Sequence, residues 1–448
     1  MSSIDEKLPR ALNRFSWFFT IFLLGYFVHA SGAWPHNIIS NGVEAFRDLT
    51  VHAKSYLGMF PTRQAAFRPG TDAGVTVNKS DKVEPGVTFL AGIEGERNIM
   101  KLVDGDGKEL HRWMVPFYKA IPNLDHIMPA HLRPMNESMT HIHGAHVYPD
   151  GSIVFNFDYH GLVSIDACSN IQWTKSQMTH HAVTGAPDGT VWVLSRHHHT
   201  APVDRLPILK PPFFEDTLLQ LSRDGKVMRE ISLPGLMIKN DLAATLTATG
   251  TLDPITQFDD FMHNNDIEIL TADKAAAFPL FEAGDIALSM RDLNMIVVFD
   301  PETETVKWHH VGPWLRQHDP DFLPDGTISV FDNRWAGSHN IESFGGSRIL
   351  KIDPVTRKVT TAYRSGKDQP RFFTHIMGVH QTFASGNILI AQPTYGRVFE
   401  VTRDGEIVWE YINRLNKDYL GHVTIAEKFP ANYFTFDKKA CTNNGGRS

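Results

Sequence analysis

From Val87 onward the chain alternates apolar and polar positions in short runs, the period of half-buried strands, and tight turns separate the runs. One unit recurs: an apolar stretch closed by Asp or an equivalent, a turn, then a strand that often ends in Trp. It runs from Asn98 to Trp113, Gly161 to Trp173, Leu218 to Arg229, Met295 to Trp308, Arg348 to Thr361 and Arg397 to Trp409. A second unit precedes most copies, with His at its start, then Pro, Asp-Gly and a β-rich run, as at His143 to Gly151, His181 to Gly189 and His318 to Gly326. Gly378 to Gly386 keeps only the turn, and an insertion interrupts the copy that His263 opens. Each repeat therefore predicts four short strands, and six repeats predict an all-β, six-bladed β-propeller over residues 87–436. The first copy, at Val87 to Ala91, lacks an inner strand, and the chain ends on an unpartnered strand from Gly421 to Ala426. Pairing the two would close the ring and protect both sheet edges. Residues 35–86 are expected as a linker and 437–448 as a tail. The insertions Pro116 to Thr140 and Gly235 to Met262 join outer to inner strands, so they are expected as lids on the ligand-binding face.

The N-terminus departs from this pattern. Lys7, Arg10 and Arg14 precede an apolar, aromatic-rich run that starts at Phe15. A cleaved signal peptide is one reading. The length of the run favours an uncleaved transmembrane helix over residues 15–34, after a cytoplasmic stretch at 1–14. The positive-inside rule then anchors the protein in a membrane and puts the propeller outside the cytoplasm, in the periplasm or beyond.

Composition narrows the partners. At 448 residues and 42% hydrophobic content the chain can bury a large core, and a formal net charge of -7 gives no basic field for nucleic acid. Cys168 and Cys441 are the two cysteines, and the sequence leaves open whether they pair.

Inner strands of a propeller enter the central channel from one face, so His143, His181, His263, His318 and His422 gather around its mouth. Residues that end the second strands return there too, which adds Arg196, Arg291 and Arg334. A buried-edge His is often only structural, whereas an Arg at a mouth calls for an anion, a carboxylate or water. The His-to-Pro-Asp-Gly strands, Met262-His263-Asn264-Asn265, Ser289-Met290-Arg291 and Arg316-Gln317-His318-Asp319 followed by Val330-Phe331-Asp332-Asn333 resemble the arylsulfate-type aryl sulfotransferases. That resemblance implies sulfuryl transfer from a phenolic sulfate ester to a phenol, through a transient sulfohistidine and without phosphoadenosine phosphosulfate. It implies His318 as nucleophile with His143, His263 and Arg291 in support. Asn265, Arg196, Arg334 and Asn333 are expected to bind substrate, and no metal or other cofactor is expected. Two other readings stay open: a metal-dependent enzyme built on the ring of histidines, and a non-catalytic, membrane-anchored scaffold.

Overall fold

The computed structural model describes residues 16–26, 64–247, 260–335 and 345–436, together with Ala53, Leu57, Met59 and Cys441. The chain divides into two units, Met1–Phe60 and Pro61–Ser448.

The second unit holds six antiparallel sheets arranged as the blades of a propeller. The inner strands are Ile142–Val147, Met178–Gly185, Asn264–Ile269, His318–Phe322 and His380–Thr382 for the second to sixth blades, and Val423–Phe429 for the first. That last strand pairs with Val87–Glu94, so the C-terminus closes the N-terminal blade. The sixth blade gains a fifth strand, Gly74–Asn78, from the stretch expected as linker; it pairs with the outer strand Ile407–Ile412. Ala65–Phe67 pairs with Tyr419–Gly421. Both ends of the propeller chain are thus tied into sheets.

The aromatic that ends most repeats has a physical role. Trp113, Trp173, Trp308 and Trp409 each donate their indole N–H to a turn carbonyl of the next blade, at Gly151, Arg223, Pro354 and Gly105. Arg229, which replaces Trp in the third blade, does the same to Pro301 O at 2.6 Å. A large side chain with one donor suits this place, since it fills the wedge between blades and satisfies a carbonyl at the same time. Cys168 and Cys441 form a disulfide. Beside it Phe436 packs on His111 and Trp113, which fastens the tail across the first and second blades.

Five of the inner strands change register by a bulge where they pass the mouth, at Ile142/Ala145, His180/Val183, Asn264/Asp266, His318/Asp321 and Val423/Ile425. A bulge re-aims side chains and bends the strand, so successive residues can line the channel. The start of the second insertion leads away from the mouth, and its described end returns there with Asp260 beside His263. Its helix Leu233–Lys239 buries Leu233, Leu236 and Met237 between blades, and Lys239 reaches Thr303 O in the turn at the opposite end of the fourth blade.

In the first unit, residues 16–26 form a helix. Among the described residues no helix is long and apolar enough to cross a membrane. The transmembrane helix expected over residues 15–34 is therefore not supported, and neither is the membrane anchor that rested on it. His29, Ser31 and Gly32 dilute the apolar run, and residues 27–34 of the expected span lie outside the described residues.

Candidate active site at the channel mouth

His143, His181, Asn265 and His318 line one cavity on the propeller axis, with Asp266, Asp319, Gly378 and Thr424 also contributing. Its volume is about 40 Å³, room for roughly three waters. Close approach of the inner strands makes the cluster possible. A Cβ on Gly144 would fall 1.9 Å from His181 O, so only glycine lets the second and third blades come this near. The rings of His143 and His181 then lie 4.3 Å apart, and those of His181 and His263 4.9 Å apart.

His318 is buried, with 4% of its surface exposed. Its Nδ1 lies 2.8 Å from Asn333 Oδ1 and 3.2 Å from Arg316 O. Arg316 O can only accept, so Nδ1 carries the proton. Asn333 agrees, because its Nδ2 donates to Thr374 O at 3.1 Å and Met377 O at 2.7 Å, which turns its oxygen toward the ring. The lone pair of a neutral His318 is therefore on Nε2. Burial first, and the nearby Arg291 charge second, hold the His318 pKa well below the ordinary imidazole value, so neutrality is the resting state.

Carboxylates orient the other histidines. Asp158 lies 3.3 Å from His143 Nδ1 and 3.2 Å from His141 Nε2, and it accepts from the His181 backbone N–H at 3.0 Å. Burial alone would raise the Asp158 pKa, but His143 and His181 outweigh it and hold the group well below the usual carboxylate range. His181 itself is pushed well down, by burial and then by His143. Asp260 lies 2.8 Å from His263 Nδ1, and its own pKa is depressed because His263 outweighs burial. Arg291 donates Nε to Asp292 Oδ1 at 2.8 Å, and Arg316 Nη2 lies 3.1 Å from the same oxygen. Asp292 thus braces Arg291 through Nε; among the described residues the Nη groups of Arg291 carry no hydrogen bond.

The remaining expected site residues divide. Asn265 lines the cavity and donates Nδ2 to Gln317 O at 2.8 Å. Asn333 stands behind His318 rather than in the cavity lining. Arg196 is sandwiched between Tyr159 and Phe214, with its Cζ 3.9 and 3.7 Å from their ring centroids, and lies 3.7 Å from Asp260. Arg334 is outside the lining; its backbone N–H donates to Asp332 and Leu315 at the end of a strand. His422 holds Gln64 O through its backbone N–H. Sequence reasoning passed over Asp158 and Asp260. Asp158 had a readable signal, since it follows the second strand of its blade as Arg291 and Asn333 follow theirs.

The fold and this site define a six-bladed propeller with imidazoles and a guanidinium at one mouth of its channel. The family model "Arylsulfotransferase (ASST)" matches residues 141–414, and the chain belongs to that family. The chain is also similar to the lactonase drp35 of Staphylococcus haemolyticus, 30% identical over 162 residues, which are 34% of this chain and 43% of the lactonase. The corresponding lactonase of Staphylococcus epidermidis is 29% identical over 143 residues, 31% of this chain and 40% of its own. The chain thus matches less than half the length of these curated relatives. Among solved structures, a protein of unknown function from Bacteroides caccae is similar at TM-score 0.47 and 10% identity, covering 77% of this chain and 98% of that one. Virginiamycin B lyase from Staphylococcus aureus is similar at TM-score 0.40 and 12% identity, covering 77% and 87%.

Proposed function

We propose that this protein transfers a sulfuryl group from a phenolic sulfate ester to a phenol through a covalent adduct on His318 Nε2. The observation that carries this reading is the His318 tautomer: Nδ1–H is committed to Asn333 and Arg316 O, and a buried, neutral ring leaves a lone pair on Nε2. In the first step that lone pair forms the N–S bond as the ester S–O bond breaks, and the electron pair leaves with the phenolate. A covalent intermediate divides one hard displacement into two easier ones. The Nη groups of Arg291 meet the sulfuryl oxygens, where a planar guanidinium can donate twice. His143 and His263, each oriented by a carboxylate, stand where a proton can be given to the leaving oxygen and later taken from the acceptor phenol. Asn265 and Arg196 support the walls of the site, and Asn333 fixes the nucleophile. Family membership supports the transferase class. No step calls on a nucleotide.

A second reading has its own observation: ligand atoms of His141, His143 and Asp158 lie within 4.8 Å of one another and could hold a metal ion. One experiment separates the two. Purified full-length protein treated with chelator is incubated with 4-nitrophenyl sulfate, with and without a phenol, and nitrophenolate release is followed. The sulfohistidine reading expects a burst equal to the protein concentration, turnover only with the phenol, and a sulfuryl adduct on His318 by mass spectrometry. Activity that is lost with the metal and returns with it would overturn that reading.

A further inference from the structure

Past the mouth, the inner strands carry a second set of side chains with the opposite chemistry. Asp266 and Glu268 follow Asn265 on the fourth blade, Asp319 and Asp321 follow His318 on the fifth, and Glu427 comes from the closing strand. Asp266 and Glu268, two apart past the bulge of their strand, share a face, and the bulge between His318 and Asp321 turns Asp319 to the same side as Asp321, where both meet His380. His380, first residue of the sixth inner strand, meets them from the side. We propose that Asp319, Asp321 and His380 bind a hard divalent cation, Ca²⁺ or Mn²⁺, inside the propeller channel. The site is independent of the sulfuryl-transfer reading.

The geometry is already convergent. One ligand atom from each of Asp319, Asp321 and His380 lies within 4.8 Å of the other two. His380 Nδ1 is 2.6 Å from Asp319 Oδ2, and its Nε2 is 3.5 Å from Asp321 Oδ2. Asp319 takes the left-handed backbone, φ 53°, at the bulge of its strand, which swings its carboxylate toward the sixth blade.

A second observation points to a ligand. Asn265 is only 5% exposed and lines the axial cavity together with Asp266 and Asp319. Its Nδ2 is bonded to Gln317 O, while its Oδ1 has no hydrogen-bond partner. A buried amide oxygen without a donor is costly unless water or a cation meets it.

The charge balance agrees. Among the described residues, Lys274 is the one cation within ion-pair distance of these five carboxylates, 3.5 Å from Glu268. Buried carboxylates crowded in this way are costly unless a cation joins them. The side chains of Asp319 and Asp321 nevertheless keep 14% and 24% of their surface open, so an ion can reach them along the channel. A donor set of several carboxylate oxygens, an amide oxygen and one imidazole favours Ca²⁺ or Mn²⁺ over the thiolate- and imidazole-seeking metals.

The test is isothermal titration of chelator-stripped, full-length protein with CaCl₂ and with MnCl₂, paired with thermal melts. The expected result is a single site for at least one of the two ions and a higher melting temperature when it is bound. Asp321→Asn should weaken binding at least tenfold, and Asp319→Asn with Asp321→Asn should abolish it, while Asp158→Asn leaves it intact. Circular dichroism checks the fold of each variant. If the double variant does not fold, Asp321→Asn decides. Absence of heat and of any melting shift at millimolar ion in the wild type overturns the proposal. So does unchanged affinity in Asp321→Asn, or loss of binding in Asp158→Asn, which would move the ion to the histidine cluster at the mouth.

Discussion

At the mouth of the channel stand His143, His181, His263, His318 and Arg291; a few residues deeper on the same inner strands stand Asp266, Glu268, Asp319, Asp321 and Glu427. Burial acts on both sets and favours the neutral form in each, so it lowers the pKa of His318 and raises that of Asp319. The consequences differ. A neutral imidazole is a working nucleophile as it stands, whereas a neutral carboxylic acid is a ligand waiting for a cation. At the mouth Asp158 has both His141 and His143 beside it and Asp260 has His263 and Arg196, whereas deeper in the channel Asp319 and Asp321 share the single His380. The distinction between the two regions is therefore how many basic partners each carboxylate finds, and it can be broken one residue at a time.

The largest effect should come from His318→Ala. Removing a covalent nucleophile removes both half-reactions, so nitrophenolate burst and sulfuryl adduct should both vanish. Retention of near-normal phenol sulfation would end the sulfohistidine reading. Next, Arg291→Ala or His143→Ala should slow transfer by about a hundred- to a thousandfold, the cost of removing one preorganised donor to developing charge, with the adduct still detectable. Asn333→Ala should cost about tenfold to a hundredfold, the usual scale for a group that orients a reacting ligand rather than touching substrate. Asn333→Asp keeps an acceptor for Nδ1–H and should recover part of that loss; equal rates for the two variants would show that the tautomer does not matter.

The smallest effect is one of pH. Because the His318 pKa is depressed, adduct formation should stay constant from about pH 8 to below the ordinary imidazole value of about 6.5, and fall only well under it. The sign for stability is the same. Below about pH 6.5 the unfolded chain binds the His318 proton first, so the stability that this residue contributes is present above that pH and is lost as pH falls. A burst rate that halves near pH 6.5 in the wild type would place His318 in solvent-like surroundings and erase the contrast between the two regions.

Much of the fold was legible in the chain because strand alternation and Asp-Gly turns are local signals. The six repeats and the closure of the first blade by the last strand follow from them. The gathering of His143, His181 and His318 on one cavity was legible too, because inner strands of a closed ring must start at the same face. Other features were not. Gly74–Asn78 alternates no more clearly than a linker, and it became a strand because the sixth blade offered it an unpaired edge. The apolar run from Phe15 has the composition of a membrane span, but among the described residues no helix is long and apolar enough to cross a membrane.

What the sequence determined by itself was the period, the number of blades and the face on which the histidines start, since each depends on neighbours a few residues apart. Only the tertiary structure decided which nitrogen of His318 is protonated, that Arg196 lies between two aromatic rings while Arg334 stays outside the cavity lining, and that Cys168 reaches Cys441. It also decided that Asp319 meets His380 across a blade gap. The physical reason is that an alternating strand marks a position as polar-facing without saying what it faces. Solvent and an enclosed channel select the same residue types, and closing the ring is what turns one into the other.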